Sequence, residues 1–263
     1  MAKEKSSNFT QRTGKVGGEI FSRLRDGYTG VRKENSVPTI LNEGQKENVS
    51  GFTELARWAL YLKGVFQVSF PPDSAGVKWS NRFTGINKKA KVAITTTKIN
   101  PDRPVDPKKK STDEFTTTID WSLIVMAQGP LVVPSATVSV QNMTLEEIVE
   151  EKHAMTRRNS AARDGEAPEV KANEGEMYKL MIEQESNYYE GAYCSMDDRV
   201  YAIVFCPDDG FALLKELRER GESGSTSVSL PSTTPAEKLH VYFFATTANG
   251  KTTSNSVHVT VGS

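Results

Sequence analysis

The stretch His240–Val261, H-V-Y-F-F-A-T-T-A-N-G-K-T-T-S-N-S-V-H-V-T-V, constrains the fold more than any other part of the chain. An apolar and aromatic run from Val241 to Phe244 leads to Asn249-Gly250, and strict alternation returns at Val257, Val259 and Val261. Asn and Gly accept positive φ at low cost, so the pair predicts a tight turn between antiparallel strands. The stretch therefore predicts the last hairpin of a β-sandwich, a scaffold suited to packing and binding.

Strand signals dominate from residue 115. Candidates are 115–126, 131–140, 176–184, 199–206, 225–230, 238–246 and 255–261, enriched in β-branched and aromatic residues. Seven such strands match an immunoglobulin- or fibronectin-like β-sandwich. Two helical insertions are expected in the series. One is 144–163, where Thr144 precedes L-E-E-I-V-E-E-K-H-A-M; the other is 210–221, with F-A-L-L-K-E-L-R-E-R.

Ahead of the sandwich, Phe52, Leu55, Trp58, Ala59, Leu62, Val65 and Phe66 recur at helical spacing and predict a helix over 43–66, with Ser50 as a cap. Val77, Trp79, Phe83 and Ile86 predict a second helix over 76–87. Three prolines within 101–107 exclude regular structure in a connector over 98–113. Residues 1–36 are basic and punctuated by glycines at 14, 17, 18, 27 and 30, which predicts an extended arm with strand pieces. Alone, such an arm buries too little surface to offset its ordering entropy, so a neighbouring subunit is its natural support. The expected organisation is an arm at 1–36, a helical hairpin and linker at 37–111, and a mainly β sandwich domain with helical insertions at 112–263.

The formal net charge of zero conceals segregation. Residues 1–33 carry eight Lys/Arg against three acids, residues 88–110 eight against two, and residues 144–198 fourteen acids against six bases. Two surfaces follow as candidates. One is an assembly arm carrying Lys15, Arg23, Arg25, Tyr28 and Arg32; the other is an acidic contact face of Glu146, Glu147, Glu150 and Glu151. Opposite patches of this kind steer self-association, although solvated faces account for the same charges.

No arrangement of reactive side chains predicts an enzyme. The three histidines are His153, His240 and His258, and the last two flank the final hairpin, where they face each other across the strands. No third ligand accompanies them, and no Walker loop, G-x-S-x-G or H-E-x-x-H occurs. Asp197-Asp198 and Asp208-Asp209 sit at opposite ends of the 199–206 strand, too far apart to share an ion, and read as turns. Asp208-Asp209-Gly210 also reads as the start of the expected helix. Cys194 and Cys206, twelve residues apart, do not have zinc-ligand spacing; they read as buried free thiols, with a bridge between neighbouring antiparallel strands as the alternative. No catalytic residue, cofactor or metal site is expected, and a membrane or nucleic-acid partner is not. The opening M-A-K-E-K-S-S-N-F-T-Q-R has no apolar core, so synthesis in a host cytoplasm without a secretory signal is expected.

Short motifs at both ends of the chain carry a family resemblance. Gly14-Lys15-Val16-Gly17-Gly18 and Gly30-Val31-Arg32 form a glycine-punctuated G-K-V-G-type arm; Gln45 and Phe52 follow, one residue further apart than in the Q-x-x-x-x-x-F helix they resemble. An aromatic strand Val241-Tyr242-Phe243-Phe244, a turn Asn249-Gly250-Lys251 and Ser254-Asn255-Ser256 close the set. The pattern resembles an uncharacterised protein family of gut Bacteroidota and their phages. The acidic stretch 144–175 departs from it. The resemblance implies fold and lineage. With the charge segregation, it leads to the expectation of a non-enzymatic structural component of a large assembly, a ring, connector, tail or head-decoration protein of a tailed-phage virion whose partners are copies of itself or other virion subunits. The alternative is a Bacteroidota binding module that recognises a protein or glycan through sandwich loops.

Overall fold

The computed structural model describes the backbone of strands at 2–4, 14–16, 19–23 and 29–33, and residues 40–71, 77–90, 93–109, 111–143, 177–189, 191, 193–231 and 233–261. Among the described residues it is mainly β, with several antiparallel sheets and three helices. Two compact units form, one from 1–46 and 100–114, the other from 47–99 and 115–263.

In the first unit, β1 (Ala2–Glu4), β2 (Gly14–Val16), β3 (Glu19–Arg23) and β4 (Thr29–Lys33) pair in the order β1-β4-β3-β2. The expected extended arm thus closes into an antiparallel sheet of its own, because pairing between its strands satisfies their amides locally. Lys15, Ile20 and Arg32 share one cross-strand row, and Arg23 pairs with Thr29. Arg25 and Tyr28 lie outside the described residues, as does the whole of 144–176, including the expected helix with Glu146, Glu147, Glu150 and Glu151. The proline-rich stretch is held by turns and by one buried cation. The fully buried Lys46 ammonium donates to the Asp106 carbonyl at 2.7 Å and to Glu114 Oε2 at 3.0 Å. That bond holds the Glu114 carboxyl below its usual range.

Helix α1 (Glu43–Tyr61) starts on a reciprocal cap rather than at Ser50. The Gln45 amide donates to Asn42 Oδ1 at 2.8 Å, and the Asn42 amide to Gln45 Oε1 at 3.0 Å. Ser50 sits inside the helix, with its hydroxyl 2.9 Å from Thr117 Oγ1. The helix breaks at Leu62 and resumes as α2 (Lys63–Ser69), and α3 (Trp79–Ala90) follows.

The remaining strands of the second unit are β5 (Ile94–Lys98), β6 (Phe115–Ile119), β7 (Ser135–Asn142), β8 (Met177–Glu185), β9 (Arg199–Cys206), β10 (Phe211–Glu219), β11 (Gly224–Pro231), β12 (His240–Thr246) and β13 (Val257–Thr260). They make a four-stranded sheet β10-β9-β12-β13, a three-stranded sheet β11-β8-β7 and a β5-β6 hairpin. Strand β5 lies in the basic stretch 88–110, where no strand is expected from the sequence. The 115–126 candidate is shorter than its apolar content suggests, ending at Ile119 before a 3-10 turn at Trp121–Leu123.

The four-stranded sheet is covered on both faces. Tyr201, Ile203, Phe205, Tyr242 and Phe244 join Leu55, Ala59, Leu62, Phe66, Phe70 and Phe83 of the helices in one core. Their neighbours in alternation, Ala202, Val204, Cys206, Val241 and Phe243, join Tyr178, Leu180, Ile182, Val228 and Leu230 of the three-stranded sheet in a second. Side chains alternate across a strand, so β9 and β12 supply both cores only because they are apolar at consecutive positions. The helices expected to stand apart from the sheet share a core with it.

The segment expected as a helix over 210–221 is strand β10, paired antiparallel to β9 from Phe211↔Cys206 to Glu219↔Arg199. Its Leu, Ala, Lys, Glu and Arg favour helix intrinsically, but that preference is worth less than burial on both faces. Phe211, Leu213 and Leu217 pack on one core, and Ala212 and Leu214 on the other. Gly210, at φ +62°, makes the turn between β9 and β10. Asp208 and Asp209 therefore sit in a hairpin turn, with Asp208 paired to Lys238 at 2.7 Å. The Asn249-Gly250 turn forms where expected, with Gly250 at φ +67°. Among the described residues, no helix is long and apolar enough to cross a membrane.

Candidate functional site

Strands β8, β9, β10 and β11 bring four of their ends together through the β8–β9 loop, 186–198, and the β10–β11 turn, 220–223. This end is organised by a cation. Arg220 is fully buried, with Nε 3.1 Å from Asp198 Oδ2, Nη1 3.2 Å from Asn187 Oδ1 and Nη2 2.7 Å from the Val132 carbonyl. One guanidinium thus ties together three segments distant in sequence. Asp198, also buried, accepts from the Ser195 amide at 3.1 Å, and its backbone carbonyl accepts the Arg220 amide at 2.8 Å.

Further bonds close the loop and tie it to the 132–133 segment. Asn187 Nδ2 donates to the Val133 carbonyl at 2.9 Å, the Cys194 thiol lies 3.2 Å from the Asn187 carbonyl, and the Val132 amide donates to Tyr193 O at 3.0 Å. The Gly221 amide donates to Met196 O at 2.9 Å, and the Ser186 amide to Ser223 Oγ at 2.9 Å, seating the turn beside the loop. Gln184, buried at the end of the core-facing row of β8, donates to the carbonyls of Glu219 and Glu222 at 2.8 and 3.1 Å and accepts from the Arg218 amide at 3.2 Å. These bonds satisfy backbone groups freed where the β9–β10 register shifts between Glu216 and Glu219.

What this framework presents outward is aromatic. Tyr188, Tyr189, Tyr193 and Met196 are 46%, 56%, 54% and 55% exposed, while Cys194 and Asp198 between and after them are buried. The exposed carboxylates of Glu185, Asp197, Glu219 and Glu222 lie on the same loop, turn and strand ends. Asp197-Asp198 does lie in a turn, closed by the Asp198 amide to the Ser195 carbonyl at 3.3 Å, but the burial of Asp198 on Arg220 is not legible in the sequence. Three tyrosines in six residues, Y-Y-E-G-A-Y, were the available signal for this surface. Arg220 gave none, because its partners lie 22, 33 and 88 residues away.

His240 Nδ1 and His258 Nε2 stand 3.1 Å apart across β12 and β13, as expected, with the His258 ring edge-on to Tyr242. Burial holds both imidazoles below the usual histidine range; His258 adds to the effect on His240, and Asp120 opposes it at both. Among the described residues, no group of three His, Cys, Asp or Glu side chains is placed to hold a metal ion. Cys194 and Cys206 are both buried and free. Tyr242 donates to the Trp121 carbonyl, and burial pushes its hydroxyl far above the ordinary tyrosine range. Tyr178, which donates to the Thr234 carbonyl at 2.8 Å, is pushed up to about 12 by burial.

The S-N-S motif fixes the 126–131 segment to the β12–β13 connection. Ser254 Oγ accepts from the Ala245 amide at 2.8 Å, Asn255 Oδ1 from Gly129 at 3.3 Å and Ser256 Oγ from Met126 at 2.9 Å. A Cβ on Gly129 would stand 2.0 Å from the Thr253 carbonyl oxygen, so glycine is required at this crossing. Comparison with protein-family models, curated proteins and solved structures finds no match for this chain.

Proposed function

We propose that this chain is a non-enzymatic structural component of a large assembly, acting as a ring, connector, tail or head-decoration protein of a tailed-phage virion. The supporting observation is the tyrosine-bearing end of the second unit. Aromatic area is held there on a backbone pinned by a buried ion pair, and it offers contact surface rather than reactive groups. Tyrosine buries large amphipathic area at low conformational cost, and a fixed backbone removes the ordering penalty of association. We read the two facing sheets as an immunoglobulin-like sandwich carrying a helical layer, in keeping with the resemblance to the phage-associated family.

The test is the mass of the full-length protein by light scattering across a concentration series. The assembly reading predicts a rise from monomer to a closed oligomer. A mass fixed at one chain up to high concentration contradicts it. The same loop end supports a second reading, a binding module whose sandwich loops take up a foreign protein or glycan, and a fixed monomer favours that reading.

A further inference from the structure

We propose that the tyrosine-bearing surface formed by 185–189, 193–197 and 219–222 docks the basic N-terminal segment, residues 1–33, of a second copy of this chain. The proposal rests on the assembly reading and names its contact.

Three observations carry it. The first is preorganisation. Burying Arg220 and Asp198 together forfeits hydration that a well-packed apolar pair would not need to replace. The bonds gained in return to Asp198, Ser195 and Asn187 fix the loop that displays Tyr188, Tyr189, Tyr193 and Met196, and the one to the Val132 carbonyl ties the same guanidinium to a distant segment. The second is chemical fit. Exposed aromatic rings share the loop and turn with the exposed Glu185, Asp197, Glu219 and Glu222, which outnumber the exposed Arg199 and Arg218 at these strand ends. Such a surface suits guanidinium and ammonium groups, which stack on rings and pair with carboxylates. The third is that the complementary charge lies in the same chain. Residues 1–33 carry eight Lys/Arg against three acids, and the strand register puts Lys15 and Arg32 in one cross-strand row.

A contact between one patch on one copy and a different patch on the next is heterologous. Such contacts close into rings when the rotation permits and otherwise run on as filaments, which is the geometry a ring or connector subunit requires.

The experiment is sedimentation velocity on the full-length protein, with thermal melts confirming the fold of each variant. Three variants are compared with wild type: Tyr188→Ser/Tyr189→Ser/Tyr193→Ser, Arg23→Glu/Arg32→Glu, and the latter combined with Glu219→Lys/Glu222→Lys. Wild type should associate, more weakly as salt rises. The tyrosine and arginine variants should each weaken association at least ~10-fold, the scale of losing central interface residues. The charge-swapped variant should recover most of that loss. Association by wild type that both the tyrosine and arginine variants retain in full overturns this docking while leaving the assembly reading standing. A wild type that stays monomeric overturns both.

Discussion

The centre of the second unit and its tyrosine-bearing end are built on opposite principles. At the centre, β9 and β12 are almost wholly buried and apolar, and their stability comes from area removed from water on both faces. At the end, the described backbone within 186–198 is held by a buried cation, a buried carboxylate, a thiol and amide side chains, while its aromatic rings face solvent. The hydrophobic driving force is non-directional, whereas hydrogen bonds to a single guanidinium specify positions. The first arrangement makes a fold, and the second makes a surface of fixed shape.

Substitutions should separate the two regions. The largest loss is expected at Phe205, fully buried, with its ring centroid 4.6 Å from that of Trp121 and 5.4 Å from that of Trp58. Phe205→Ala should cost ~4 kcal/mol of global stability in chemical denaturation. Arg220→Met should cost ~3 kcal/mol by leaving Asp198 buried without its partner, and Arg220→Met with Asp198→Leu should recover part of that loss. If the single and double variants are equally destabilised, the ion pair is not what holds the loop end. Ser254→Ala removes the acceptor of the buried Ala245 amide and should cost ~1–2 kcal/mol, read in the same denaturation series.

The smallest expected effect is on pH. His240 and His258 have folded-state values lowered from 6.5, so the unfolded chain binds more protons as pH falls below that value. Their contribution is fully present above about pH 6.5 and is lost as pH falls through the folded values. Thermal melts should show a decline in acid that is reduced in His240→Gln/His258→Gln.

Much of the central region was legible in the sequence. The apolar runs of β9 and β12 and the Asn-Gly turn are local signals, and their strands lie close to the expected bounds. Strand β10 was misread because its residues favour helix in isolation, and only pairing with β9 reveals the alternation. Phe52 was counted with the core of α1, yet it is 45% exposed, with the Lys88 ammonium 5.3 Å from its ring centroid. The loop end was not legible. Its organising contacts join residues as much as 88 positions apart, and a lone arginine in E-R-G-E looks like a solvated turn residue.

Amide hydrogen exchange on wild type and Arg220→Met at neutral pH tests most directly whether the loop end is a separately pinned surface. The polar framework predicts that the amides of Val132, Ser195, Asp198 and Gly221 exchange much faster in the variant, while those of Val204 and Phe244 keep most of their protection. Acceleration spread evenly over β9, β12 and the loop, or none in the loop, would contradict it.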